Sequence, residues 1–180
     1  MQNYTPISNI NEGKKGRLDK YLILTLLLVL FHTIGNIIWI YLNNIPFGWD
    51  QSAHTIATIK YANYLINNSF NIIDFLRLSN YYPIFIYLFS IPITLISNFN
   101  LKIIQFTGTI FFISSIVFLY HYVLELSKNK KLSFITAFLF SFFITIVQTS
   151  RDYMLDLPLT TAILATLYFV EKLRKKIEIK

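Results

Sequence analysis

Tyr81-Tyr82-Pro83-Ile84-Phe85-Ile86-Tyr87-Leu88-Phe89-Ser90-Ile91-Pro92-Ile93-Thr94-Leu95-Ile96-Ser97-Asn98-Phe99 is the stretch on which the topology of this chain turns. It is apolar, yet Pro83 and Pro92 interrupt it, and it is short for crossing about 30 Å of hydrocarbon. The chain around it is 54% apolar and 14% charged, and it carries further apolar runs near spanning length over residues 21–42, 102–126, 132–149 and 157–171. That balance belongs to an integral membrane protein. If residues 81–99 also cross, the loop holding Lys128, Lys130 and Lys131 and the tail holding Lys172, Arg174, Lys175, Lys176 and Lys180 fall outside. That runs against the tendency of Lys and Arg to stay in the cytoplasm. If they do not cross, twelve of the sixteen Lys and Arg residues lie inside, counting Lys14, Lys15, Arg17 and Lys20 at the start.

The second arrangement is the one expected. It gives an all-α integral membrane protein with about four transmembrane helices, an external amphipathic helix and a Pro-containing interfacial segment. Residues 1–20 form a basic cytoplasmic amino terminus, residues 21–171 the membrane module with an external loop over 46–100, and residues 172–180 a basic cytoplasmic tail. The first apolar run reads as a signal anchor, since its core is too long for a cleaved signal and no small-residue cleavage site follows. The fourth run is short, so Glu171 and Lys172 must snorkel or the helix must continue past them.

Composition also excludes classes. The chain has no cysteine, which removes disulfides and thiolate metal sites, and its +7 net charge is accounted for by the cytoplasmic flanks, so no nucleic-acid partner is expected. Within the spans the polar or small residues are few. His32, Gly35 and Asn36 fit helix packing, Trp39 and Tyr41 an interfacial belt, and His121 packing near the inner end of its helix. So few ionisable groups argue against a proton or ion path. Asn67-Asn68-Ser69 has the form of a glycosylation acceptor, by chance in an Asn-rich chain.

Chemistry is expected at the first loop. Ile45-Pro46-Phe47-Gly48-Trp49-Asp50-Gln51-Ser52-Ala53-His54 follows the first span and sets a carboxylate, Asp50, one helical turn before an imidazole, His54. Residues 51–67 have helical periodicity, with Ile56, Ile59 and Ile66 on one face and Asp50, His54, Ala57 and Tyr61 on another, as in a helix lying along an interface. As a plain structural feature, Asp50 would be an N-cap. A second acid, Asp156, heads the fourth span, and the non-crossing arrangement sets it on the same external face as Asp50.

Three landmarks in this order resemble the amino-terminal part of a GT-C glycosyltransferase, the class that includes protein O-mannosyltransferases and the lipid A aminoarabinose transferases. They are Trp49-Asp50-Gln51-Ser52-Ala53-His54, Tyr81-Tyr82-Pro83-Ile84-Phe85-Ile86-Tyr87, and Ser150 to Leu159 with Asp156-Leu157-Pro158-Leu159. The resemblance implies transfer of a sugar from a polyprenyl-phosphate carrier to an acceptor glycan, lipid or protein on the extracytoplasmic face. Asp50 matches the first-loop catalytic acid, and Asp156 the second acid, which would position acceptor, cation or loop. His54 would orient Asp50 or contact phosphate, Tyr82 lies at the interfacial position that faces the carrier, and Arg151 would offset phosphate charge or anchor to headgroups. Related folds differ over a divalent cation; Asp50, His54 and Asp156 are the candidate ligands for one.

The chain departs from that pattern in three ways. Gln51 follows Asp50 where many relatives have a second acid. Tyr82 replaces the lysine that serves the carrier phosphate in lipid A transferases, leaving that task to Arg77 or to groups outside the chain. The resemblance covers only the first third of such enzymes, so the chain reads as a piece of a larger transferase that is not active alone. The competing expectation is a non-catalytic four-helix membrane protein, an assembly subunit or transporter fragment, in which both acids are helix caps.

Overall fold

A computed structural model describes residues 19–67, 70–78 and 82–178. Lys14, Lys15, Arg17, Asn68, Ser69, Tyr81 and Lys180, which figure in the expectations above, lie outside the described residues. The described residues form eight α-helices and no strand: α1 (Lys20–Leu42), α2 (Trp49–Asn67), α3 (Ile72–Arg77), α4 (Phe85–Ile96), α5 (Leu101–Ser127), α6 (Lys130–Ser141), α7 (Ile144–Thr149) and α8 (Asp156–Glu178). Among them, α1 and α5 are long and apolar enough to cross a membrane.

α5 is the centre of the bundle, with α1, α4, α6 and α8 packed against it and α2 packed on α4. Its buried face is made largely of small or polar residues, including Gln105, Thr107, Gly108, Thr109 and Ser115. α1 likewise buries one stripe, Thr25, Leu28, His32, Asn36 and Ile40, spaced three or four residues apart, and turns Leu26, Phe31 and Ile38 outward. Small residues let helix backbones approach closely, and the hydroxyl groups bond within their own helix, as in Thr25 Oγ1 donating to the Tyr21 carbonyl, or across to a neighbour, as in Ser115 Oγ 2.8 Å from Thr161 Oγ1.

The helix boundaries follow local chemistry. Asp19 caps α1, Asn100 caps α5 and Asn129 caps α6, each through its side-chain oxygen. α1 ends at Asn43, whose extended backbone leads to Pro46. α4 has twelve residues with Pro92 inside it; at 1.5 Å per residue it is about 18 Å long, too short to cross a bilayer. It closes on Asn98 and Phe99 with φ of 49° and 61°, and the Phe99 amide donates to the Thr94 carbonyl.

One segment differs from the sequence expectation. The run 132–149 is not one helix, because the chain leaves helical geometry at Phe142 and Phe143, where Phe143 is extended (φ −64°, ψ 123°). No Pro or Gly causes this. Phe142 is held by rings on other turns and on α1: Phe138 at 4.7 Å, His32 at 4.8 Å and Phe31 at 6.0 Å between centroids. α8 continues past Glu171 and Lys172 to Glu178, the second of the two outcomes expected for that short run.

The bundle is electrically polarised. One end gathers the ion pairs Lys130–Asp19 at 2.5 Å, Lys128–Glu125 at 2.9 Å, Lys175–Glu125 at 3.1 Å and Arg174–Glu171 at 2.7 Å. At the other, where α1 ends and α5 and α8 begin, stand Asp50, Lys102, Arg151, Asp152 and Asp156.

Candidate functional site

At the second end a cleft of about 470 Å³ opens between the end of α1, the loop after it, the first turn of α2, α5 and the loop before α8. Trp39 and Trp49, the only two tryptophans of the chain, both line it. So do Asp50, Gln51, Gln105, Asp152 and Met154. Asp50 is exposed, and neither its carboxylate nor that of Asp152 has a hydrogen-bond or ion-pair partner among the described residues. The capping bond that would make Asp50 a plain N-cap is therefore not formed. Partial burial pushes the Asp152 carboxyl above the ordinary aspartate range, and the Arg151 charge offsets some of this. The amide nitrogen of Gln51 is buried without a hydrogen-bond partner among the described residues.

Asp152 reaches the cleft because its loop is clamped to α5. Gly108 leaves the necessary gap, since a Cβ there would lie 2.4 Å from the Asp152 carbonyl oxygen. Beside it, Thr109 donates to the Ser150 carbonyl (2.9 Å) and Gln105 Nε2 to the Arg151 carbonyl (2.6 Å). From α1, the buried Asn36 amide donates to Ser150 Oγ (2.9 Å) and Thr109 Oγ1 (3.2 Å) and accepts from Arg151 Nε (3.1 Å).

Tyr153 fastens the other side. Its side chain is fully buried, its hydroxyl donates to Ser90 Oγ on α4 (2.6 Å) and lies 2.7 Å from Thr58 Oγ1 on α2, and burial pushes its pKa up to about 12. Ser90 and Thr58 also donate to the Ile86 and His54 carbonyls, so neither is orphaned when the phenol oxygen is removed. Tyr153→Phe is expected to cost about 1–2 kcal/mol, one or two net hydrogen bonds, as a lowered melting temperature of the purified protein in detergent. An unchanged melting temperature would show that these bonds do not hold the loop.

The other expected site residues sit elsewhere. Asp156 is the first residue of α8, exposed and outside the lining of the Asp50 cleft. His54 is buried on α2, with Nδ1 2.8 Å from the Tyr87 hydroxyl and Tyr82 edge-on at 4.8 Å. Burial lowers its pKa, while the charges of Asp50 and Asp156 pull it back up, so both acids lie near enough to be felt by the ring. The ring is held in the packing between α2 and α4 by the Tyr87 hydroxyl. Arg151 turns away from the cleft onto Asn36 and the face of Trp39, 5.4 Å from its centroid. Arg77 is the exposed last residue of α3.

Among the described residues no three His, Asp or Glu side chains are gathered as a metal-binding group, so Asp50, His54 and Asp156 do not make a ligand set. No family model, curated protein or solved structure matches this chain. The site therefore has to be read from its own geometry. Sequence reasoning passed over Asp152 and Gly108 and read Asn36 only as a helix-packing residue. Their signals were present but unspecific: an acid beside the singled-out Arg151, an amide within a span, and a glycine in an apolar run.

Proposed function

We propose that the chain is a membrane module of a GT-C-type glycosyltransferase, which moves a sugar from a polyprenyl-phosphate carrier to an acceptor hydroxyl on the extracytoplasmic side. The observation that carries this reading is the cleft lined by Trp39 and Trp49 in which Asp50 and Asp152 have no partner among the described residues. Carboxylates free of internal partners are available to accept from substrate hydroxyls, and indole faces suit the apolar faces of sugar rings. Asp50, the more exposed acid, takes the acceptor proton as the acceptor oxygen attacks the anomeric carbon. The bond from that carbon to the phosphate oxygen breaks, and polyprenyl phosphate leaves with the electron pair. Asp152, with its raised pKa, orients the acceptor by hydrogen bonding.

The membrane arrangement belongs to the same proposal. α1, α5, α6 with α7, and α8 cross or enter the bilayer, the end rich in Lys and Arg faces the cytoplasm, and α2 to α4 lie at the outer surface. Its supports are the outward-facing Leu, Ile and Phe side chains of α1, the small and polar residues buried between helices, and the segregation of basic groups at one end. To test the reading, right-side-out vesicles from cells expressing the chain together with its chromosomal neighbours are given a panel of radiolabelled polyprenyl-phosphate sugars. Incorporation into cell-envelope acceptor that depends on the chain is expected with at least one donor. Equal incorporation with and without the chain for every donor overturns the proposal.

A further inference from the structure

Lys102 lies in the first turn of α5, beside the end of α1. Its ammonium donates to the Tyr41 carbonyl (2.5 Å) and to Asn44 Oδ1 (3.3 Å), and it sits 5.5 Å from the centroid of the Tyr41 ring. Both oxygens are neutral, and no carboxylate lies within ion-pair distance of Lys102 among the described residues. An ammonium has three donors, so one remains for a ligand, and the charge is not neutralised.

Two cavities meet at this ammonium. One is a groove of about 250 Å³ between α1 and α5, walled by Ile37, Ile40, Tyr41, Ile103 and Phe106, and apolar apart from Lys102 itself. The other, about 480 Å³, is mixed in character, with Asn43, Asn44, Ser52 and Gln105 set among Ile45, Pro46, Phe47 and Leu101. It shares the Asn43, Ile45, Pro46 and Phe47 loop and Gln105 with the Asp50 cleft. The surface therefore joins an apolar trough, a positive charge, a mixed chamber and the cleft that holds the two carboxylates. A phosphate is disfavoured between Asp50 and Asp152, and Arg151, with Nε on Asn36 and its guanidinium over Trp39, lines neither the apolar groove nor the chamber beside it.

We infer that Lys102 is the phosphate-binding cation of this protein, and that a polyprenyl phosphate lays the first part of its isoprenoid chain in the α1–α5 groove with its phosphate on the Lys102 ammonium. The assignment rests on the transferase reading and goes beyond it by moving the carrier phosphate away from Tyr82 and Arg77. Charge complementarity selects an anionic lipid over a neutral one, and the adjoining chamber, whose loop and Gln105 are shared with the Asp50 cleft, leaves room for a sugar on the headgroup.

The test uses the whole purified chain in phosphatidylcholine nanodiscs and a diazirine-bearing polyprenyl phosphate without sugar. Wild type and Lys102→Arg are expected to bind it, and Lys102→Gln to bind at least about tenfold more weakly, a loss of one charge-assisted contact. Photo-crosslinks are expected in the peptides holding Ile37 to Tyr41 and Ile103 to Phe106. Size-exclusion profiles and melting curves establish that the variants are folded, and Lys102→Arg keeps the test decisive if Lys102→Gln is not. Equal binding by Lys102→Gln and wild type, crosslinks confined to other helices, or equal displacement by phosphatidylglycerol, which would mark a general anionic-lipid surface, each overturn the assignment. If Lys102→Gln binds normally while chain-dependent transfer persists, the Lys102 site falls and the transferase reading stands. If transfer is absent with every donor yet Lys102→Gln loses the probe, the reading falls and the lipid-phosphate site stands.

Discussion

Asp50→Asn is expected to lower sugar transfer by about 100-fold or more, with the protein inserted and accumulated as in wild type. The size follows from its proposed part, since a positioned general base contributes typically 10²–10⁴ in rate and the amide cannot take the proton. Little stability should be lost, because the Asp50 carboxylate is exposed and makes no hydrogen bond among the described residues. Initial rates in the vesicle assay at saturating and limiting acceptor, normalised to the amount of chain by immunoblot, provide the measurement. A fall mainly in kcat identifies a group acting in the transition state. Unchanged transfer at equal protein would remove Asp50 from catalysis and return it to an ordinary loop acid.

Gly108→Ala is the second large effect, and it acts through structure. The new methyl carbon would stand 2.4 Å from the Asp152 carbonyl oxygen, 3.4 Å from its carbon and 3.5 Å from the Ser150 carbonyl oxygen. These are backbone atoms, and Gln105, Thr109 and Asn36 hold the same loop by hydrogen bonds, so it cannot swing aside without breaking them. Overpacking of this kind costs about 1–3 kcal/mol. The displaced loop also carries Asp152 out of the cleft, so transfer should fall together with the melting temperature. Gly35→Ala is the internal comparison. No atom lies within 4 Å of the corresponding Cβ, and the gain in helix propensity is up to about 1 kcal/mol. Gly35→Ala should therefore melt at or above the wild-type temperature; Gly108→Ala melting with it would refute the close approach of loop and helix.

The helices that hold the cleft were legible in the sequence to different degrees. The first and second apolar runs, expected over 21–42 and 102–126, correspond to α1 and α5 within two residues, because long uninterrupted apolar segments with Asp19 or Asn100 before them leave little alternative. The helix after Asp50, read over 51–67 from its periodicity, is α2. Its faces were harder to read. The buried side carries Gln51, His54, Thr55 and Thr58 along with Tyr61 and Ala62, while Ile56 and Ile66 face outward. The break at Phe142 and Phe143 left no mark in composition, since no Pro or Gly stands there and the rings that contact Phe142 come from another turn and from α1.

The sequence by itself determined that the described residues are helical, that the runs over 21–42 and 102–126 form long apolar helices, and that an acid follows the first of them. Each of these depends on neighbours within one or two turns: apolar run length, a capping side chain, a proline. Only the tertiary structure decided which acid shares the cleft with Asp50. Asp156 belongs to the first turn of α8, whereas Asp152 is drawn to the cleft by Gly108 on α5, Asn36 on α1 and the Tyr153 anchor to α2 and α4. Those partners lie 41 to 114 positions away along the chain in the hydrogen bonds that clamp the loop. Contacts of that separation exist only once the helices have packed, which is why no local pattern could distinguish the two aspartates.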